Sequence, residues 1–273
     1  MNNEDLILES KTFREMDLPP TLYKYRDWTE EKHKRVLTHN ELFFAPPALF
    51  EDEFDCKVPI RYDLMTDEEI YEKYLNSSKE ENPHFTRQQH RKFARDWQKK
   101  GLLRDKRHLE DIEKEFSEKF NNLFGVLSLT AIHDNYEMWN KYANKGKGFC
   151  IGFRTIPLFE LSQYFGGGGE VIYYDELPII KESDPLEKKH FLQIHSKLRI
   201  YEFEKEYRVT KFNIKNRKAT IPNNIFVEII IGDKMTDEMK NEIIELAKQK
   251  FSHVSISIAN FNDKDKLVTI NPW

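Results

Sequence analysis

Cysteine is scarce in this chain of 273 residues, and its two copies, Cys56 and Cys150, stand far apart. Two cysteines cannot make a disulfide framework or a cysteine-based zinc site. Such usage fits the reducing cytosol. No apolar run approaches the length of a membrane span. The opening residues, Met1-Asn2-Asn3-Glu4-Asp5, are acidic and lack the apolar stretch of a secretory signal. Together these absences lead us to expect a cytoplasmic protein. Several catalytic signatures are missing too. There is no His-Glu-x-x-His helix for zinc, no Gly-x-Ser-x-Gly elbow for a serine hydrolase and no Gly-Lys-Ser/Thr phosphate loop. There is also no repeat and no low-complexity tract. A net charge of -4 carries no global nucleic-acid signature.

Aromatic residues and charge are plentiful. Twenty Phe, twelve Tyr and four Trp can build a sizeable core although a third of the residues are charged. The pattern predicts strands at Leu22–Arg26, Glu41–Ala45, Phe124–Thr130, Gly148–Phe153, Glu170–Tyr174, Tyr201–Thr210, Phe226–Ile231 and Val254–Ile258. It predicts helices from Thr29, which would cap the first, to His39, from Asp134 to Ala143, over 185–200, and from a Thr236 cap to Lys250. Asn144-Lys145-Gly146 supplies a helix stop. Gly166 to Gly169 read as a flexible loop. From Thr66 to about Asn122 the composition turns helical. Thr66-Asp67-Glu68-Glu69 has the form of a capping box, and Pro83 and Gly101 mark breaks. Strands with interspersed helices and no regular βαβ rhythm argue for an α+β fold. We therefore expect one domain over 1–273, with a mixed or antiparallel β core, peripheral helices and a helical insertion at about 64–122.

The most informative stretch is Tyr201-Glu202-Phe203-Glu204-Lys205-Glu206-Tyr207-Arg208-Val209-Thr210. As a strand it would put Phe203, Lys205, Tyr207 and Val209 on one face and Glu204, Glu206, Arg208 and Thr210 on the other. Same-face residues lie roughly 6.5 Å apart on a strand, so two carboxylates and a guanidinium could act on one small ligand. The plainer alternative is a water-facing edge with an ordinary ion pair. A third possibility is a metal-dependent nuclease. Asp52, Asp55, Glu204 and Glu206 could gather a magnesium ion, which prefers oxygen ligands. The nuclease strand signature of an acid followed two residues later by Lys is absent, because Glu202 is followed by Glu204 and Glu204 by Glu206. His84 and His90 read as solvated residues of a helix.

Between Arg87 and Arg107 stand nine basic residues against two acids, Asp96 and Asp105, a local net charge of +7. Arg87, Arg91 and Arg95 repeat every four residues on one helix face. Phe93 and Trp97 give another face that can be buried. The basic face could lie along nucleic-acid phosphates. It could equally be a solvated surface balanced by Glu110, Asp111, Glu113 and Glu115.

Six phrases in order resemble a bacterial domain-of-unknown-function family, number 2971. They are Leu22-Tyr23-Lys24-Tyr25-Arg26, Phe50-Glu51-Asp52-Glu53-Phe54-Asp55, Val126-Leu127-Ser128-Leu129-Thr130, Met138-Trp139-Asn140-Lys141-Tyr142-Ala143, Gly148-Phe149-Cys150-Ile151-Gly152-Phe153 and Glu204-Lys205-Glu206-Tyr207-Arg208. The family usually shows Asn and Pro where this chain has Glu51 and Glu53. The chain is also distantly similar to ADP-ribosyltransferase-like folds. These carry an Arg or His on a first strand, a Ser or Tyr on a middle strand and a Glu-x-Glu on a late one. Arg26 or Lys24, then Ser128 and Thr130, then Glu204-Lys205-Glu206 follow that order.

This second resemblance implies NAD as a substrate. Glu206 would stabilise the positive charge that develops on the ribose as the nicotinamide bond breaks. Glu204 would position or activate the acceptor, and Arg26 or Lys24 would hold the pyrophosphate. Ser128 would hold the ribose or support Glu206. Tyr136, Trp139 or Tyr142 could stack on nicotinamide. Arg26 could instead be an exposed strand end and Ser128 a structural hydroxyl. Trp139 and Tyr142, three apart, could be core anchors, and Cys150 a small buried residue. The role implied is a bacterial toxin or anti-phage effector acting on nucleic acid or protein. The rival is a nucleic-acid-binding or nuclease-type defence module.

Overall fold

A computed structural model describes residues 11–161 and 167–273. The opening residues Met1–Asp5 and Gly166 lie outside them. The chain begins with β1 (Thr21–Arg26), α1 (Glu31–Thr38), β2 (Glu41–Phe43) and β3 (Ile60–Arg61). Three helices follow, α2 (Asp67–Glu81), α3 (Arg87–Lys99) and α4 (Lys106–Leu123). Then come β4 (Phe124–Thr130), α5 (Tyr136–Tyr142), β5 (Phe149–Arg154), α6 (Thr155–Phe159), β6 (Gly167–Glu170), β7 (Ile172–Tyr174) and β8 (Ile180–Lys181). The chain closes with α7 (Leu186–His195), β9 (Ser196–Leu198), β10 (Glu206–Phe212), β11 (Lys218–Thr220), β12 (Phe226–Gly232), α8 (Asp237–Lys250), β13 (Ser255–Asn262) and β14 (Leu267–Pro272). This is an α+β fold with a run of helices between β3 and β4, as the pattern predicted.

Eight strands form the main sheet in the order β14-β13-β12-β5-β1-β4-β10-β6. Only β12 and β13 are parallel, joined through α8; the other pairs are antiparallel. Both faces of the sheet are covered, which is why β12 reads as a continuous apolar run. Ile229 and Ile231 pack with Leu37, Ile243 and Phe251 on one side. Ile230 packs with Tyr25, Trp139 and Cys150 on the other. No helix among the described residues is long and apolar enough to cross a membrane.

The strands that matter for the site are β1, β4 and β10. β4 pairs with β10 along its whole length, from Glu206 opposite Thr130 to Phe212 opposite Phe124. β1 pairs with β5 over six positions but meets β4 at one, Tyr23 opposite Thr130. Further along, the free edge of β4 is bridged by Ala45 at Val126. The sheet is thus open between β1 and β4. Gly148 lets β5 start close beside β1, because a Cβ there would collide with the carbonyl oxygen of Arg26.

Helix punctuation follows the sequence in most places. Thr66 and Thr86 each form a full capping box, and Thr236 caps α8. Gly101 adopts a left-handed φ of 67° at the break after α3. Thr29 is different. It does not cap α1; its amide and hydroxyl both donate to Asp27 instead. The segment expected to be helical over 185–200 stops at His195 and turns into β9. Gly167–Gly169, read as loop, form most of β6. The expected strand over 201–210 is divided. Arg199–Glu204 coil into a 3-10 helix, Lys205 takes a left-handed φ of 41°, and β10 begins only at Glu206.

Candidate functional site

A cavity of about 580 Å³ opens where β1 and β4 diverge. Its walls come from β1 (Tyr23 to Arg26), β4 (Val126 to Thr130), the loop after β2 (Leu49 to Asp52 and Asp55), α5 (Met138, Lys141, Tyr142), and the 197–206 segment (Lys197, Tyr201, Glu204, Glu206). That volume lies in the range of small-molecule sites.

One wall is a buried cluster of opposite charges. Glu206 and Arg208 sit two apart on β10 and so share a face, as the alternation predicted. Arg208 Nε donates to Glu206 Oε1 at 2.8 Å and its Nη2 donates to Oε2 at 2.9 Å. The same Nη2 donates to Asp55 Oδ2 at 3.0 Å. Nη1 donates to the Ile194 carbonyl at 2.5 Å and to Cys56 Sγ at 3.2 Å. The Phe50 ring lies 5.2 Å from the guanidinium. Lys197 stands at the centre of three carboxylates. Its Nζ is 2.5 Å from Glu204 Oε2, 3.0 Å from Glu206 Oε2 and 3.4 Å from Asp55 Oδ2.

Glu204 reaches the cluster although it lies outside the strand. The left-handed Lys205 reverses the chain, and Thr130 Oγ1 donates to the Glu204 carbonyl at 2.6 Å. Tyr142 Oη donates to Glu204 Oε1 at 2.7 Å, and Lys141 Nζ donates to the same atom at 3.1 Å. The Glu206 amide donates to Tyr173 Oη at 2.9 Å. Asp55 arrives on the acidic loop, which Lys57 ties down by donating to the carbonyls of Phe50 and Asp52. Three carboxylates thus meet Lys197, Arg208 and the half-exposed Lys141, so the group is neutral overall.

That pairing sets the protonation states. Burial alone would raise Glu206, but Arg208 and Lys197 outweigh it, and hydrogen bonds from Arg208 and Ser128 add to them. The carboxyl is held well below the usual carboxylate range and stays ionised. Burial would lower Lys197 and Arg208, yet the surrounding carboxylates hold both above their ordinary values. Burial, with Glu204 close by, raises the Tyr142 phenol strongly.

The facing wall is the opposite case. Lys24 Nζ donates to the Ser128 carbonyl at 2.5 Å, an oxygen left free where β1 and β4 part. Arg26 touches only its neighbour's carbonyl, that of Tyr25, at 3.5 Å. Neither has a carboxylate within ion-pairing distance among the described residues. Burial lowers both, Arg26 to about 10; the Arg26 charge lowers Lys24 further, and the Glu206 charge offsets this only in part. Arg26 is therefore not an exposed strand end. It is a half-buried cation facing a cavity, without a counterion among the described residues.

The three elements expected to meet do so. Arg26 and Lys24, Ser128, and Glu204 with Glu206 all line one cavity, on or beside adjacent strands. Ser128 hydrogen-bonds Glu206. Of the aromatic candidates, Tyr142 alone lines the cavity. Tyr136 donates through its hydroxyl to Asp263 at 3.1 Å, away from it. Trp139 is fully buried, edge-on to Tyr25 and Phe261, and donates to the His133 carbonyl. It is the core anchor that its spacing also allowed. Cys150 is buried, as its alternative reading had it. Sequence reasoning missed Lys197, a lone lysine in a stretch read as helix, and Tyr201. It also missed the partner of the half-buried His90, whose Nδ1 lies 2.9 Å from the buried Ser78 hydroxyl.

A divalent cation among Asp55, Glu204 and Glu206 would have to stand where Lys197 Nζ stands. Among the described residues no three His, Cys, Asp or Glu side chains are arranged to hold a metal ion. Arg87, Arg91 and Arg95 lie on the exposed face of α3, in the run of helices between β3 and β4.

Comparison with known proteins adds one match. Residues 138–265 match the family described as "Protein of unknown function (DUF2971)". The matched span contains Lys197, Glu204, Glu206 and Arg208, while Lys24, Arg26 and Asp55 lie outside it. No curated protein and no solved structure matches the chain.

Proposed function

We propose that the cavity binds a dinucleotide of the NAD type and that the protein transfers its ADP-ribosyl group to a nucleophile. One observation carries this reading: a single cavity is lined by two carboxylates, Glu204 and Glu206, and by two basic side chains, Lys24 and Arg26, that make no ion pair among the described residues. A half-buried cation with no counterion is costly, and a bound phosphate relieves that cost. The pyrophosphate sits against β1, and the ribose lies toward Ser128 and Glu206. Breaking the bond between ribose and nicotinamide sends its electron pair to the departing ring and leaves positive charge on the sugar. Glu206 is suited to stabilise that charge because its own pairing keeps it ionised. The same pairing makes it unfit as a proton carrier, so it acts as a fixed anion. The acceptor, a nucleic acid or a protein, enters past Tyr142 and Lys141. It forms the new bond to the sugar carbon and gives up its proton toward Glu204. A part in toxicity or phage defence belongs to this proposal and rests on the family resemblance alone.

Calorimetry tests it. NAD should bind, and Arg26→Met should weaken that binding by at least about tenfold, the scale of one charge-assisted contact. Absence of NAD affinity up to millimolar concentration, with divalent metal binding instead, would remove the proposal in favour of a nuclease.

A further inference from the structure

The arginine face of α3 has no role in the cavity and no internal partner. Elsewhere on the surface, arginines hold carboxylates: Arg14 with Glu160, Arg35 with Glu41, Arg61 with Asp63 and Arg199 with Asp175. On α3 the only ion pair is Lys92 with Asp96. Arg87, Arg91 and Arg95 are exposed and have no carboxylate within ion-pairing distance among the described residues. The opposite face is occupied. Ala94 is buried, and Trp97 packs against Tyr74 and Phe93. The helix is therefore anchored through its apolar face, and the arginine face is turned outward. Its capping box fixes the first turn, so the three guanidinium groups project from a rigid rod.

We infer that this face docks on duplex DNA. Residues four apart rise about 6 Å along a helix, so the three arginines form a ladder about 12 Å long. A polyanion with one charge per roughly 1.7 Å of duplex axis can neutralise such a ladder, and counterion release then favours binding. Single strands are bound through exposed aromatic platforms. No large hydrophobic residue of α3 is exposed; Phe93 and Trp97 are partly buried, with Trp97 packed against Tyr74. An A-form RNA duplex has a major groove too narrow to admit a helix, whereas the roughly 12 Å groove of B-form DNA admits one. Gln88, exposed beside Arg87 and Arg91, adds an amide donor and acceptor to the same surface. Docking of this kind would name DNA as the acceptor class for the transfer proposed above, and in that respect alone it rests on that reading. The binding itself does not.

Fluorescence anisotropy with a labelled duplex of about 24 base pairs, titrated at several salt concentrations, tests it. The unaltered protein should bind at low salt. The triple variant Arg87→Gln, Arg91→Gln, Arg95→Gln should bind at least about tenfold more weakly. Its log–log salt slope should be smaller by about 2.7, at 0.9 per lost phosphate contact. Its thermal midpoint should hardly move, because the three side chains are exposed and make no hydrogen bond or ion pair among the described residues. Arg26→Met should bind DNA like the unaltered protein while losing NAD affinity, so failure at the cavity and failure at the helix are read separately. No duplex binding at low salt, an unchanged triple variant, or tighter binding of single-stranded RNA than of duplex DNA would each overturn the inference.

Discussion

Two pairs of basic residues stand at or beside the cavity, Lys197 with the fully buried Arg208 and Lys24 with Arg26, and their surroundings differ. Lys197 and Arg208 are packed among Asp55, Glu204 and Glu206. Among the described residues Lys24 and Arg26 hydrogen-bond backbone carbonyls and make no ion pair. In the first pair the charge is spent inside the protein, where it orients three carboxylates and keeps Glu206 ionised. In the second it is left for something outside the chain. The difference teaches that burial of a charged group does not by itself mark a ligand site; what marks it is burial without a partner.

The comparison breaks most sharply through stability. Arg208→Met should destabilise the fold by roughly 3 to 5 kcal/mol in denaturant titration, because it leaves Asp55 and Glu206 buried with too little positive charge. Glu206→Gln should also be costly, since it takes a carboxylate from two buried cations. It is therefore a poor fold-neutral probe of the cavity. Equal stability of both variants and the parent would mean that the cluster is not structural.

Acid adds a second handle on the same wall. His195 stacks on Phe191, and its Nδ1 lies 3.2 Å from the Glu170 carbonyl. Burial, helped by the nearby Arg208 charge, lowers it to about 4. Between that value and the ordinary 6.5 the unfolded chain binds more protons than the folded one, so stability should fall as pH drops through this window. The expected loss is roughly 1 to 3 kcal/mol. His33, lowered to about 4 chiefly by burial, shares the window. His195→Gln should therefore flatten the profile only in part. A profile that is flat from pH 6.5 to 4 in the parent protein would refute the buried, neutral state.

On the facing wall the sign reverses. Arg26→Met should raise stability by roughly 1 kcal/mol, because it removes a desolvated cation that has no counterion. The same change should weaken ligand binding. A loss of stability comparable to that of Arg208→Met would erase the contrast between the walls. The smallest effect is expected farthest away. Thr66→Ala breaks the capping box of α2 and should cost about 1 kcal/mol without altering NAD affinity.

Local chemistry was readable wherever one residue decides the outcome. Thr66 and Thr236 cap their helices because a side-chain oxygen can reach an amide three residues on, whatever lies around it. The apolar run Phe226–Ile231 is a strand buried on both faces. Strand alternation put Glu206 and Arg208 on one face. It failed at Glu204, since alternating residues are also compatible with a 3-10 turn, and tertiary contacts chose that turn. Thr130 bonds the Glu204 carbonyl, and Asn135 bonds the carbonyl of Phe203. Lys197 carried no pattern at all. Trp139 and Tyr142, three apart on one helix, were separated only by packing: one is sealed against Tyr25, and the other bonds Glu204 at the cavity edge.

The sequence by itself determined an α+β chain with a helical run before β4, its main caps and breaks, and the order in which cation, hydroxyl and carboxylates appear. These depend on contacts within a few residues or on periodicity, which a linear chain contains. Which charges are neutralised was decided by the tertiary structure alone. Asp55 and Arg208 are 153 positions apart, and their ion pair exists because the acidic loop folds over β10. Lys24 and Arg26 make no such pair among the described residues; they stand where β1 and β4 part after one shared position. Charge compensation depends on distances across the fold, and no spacing along the chain encodes them.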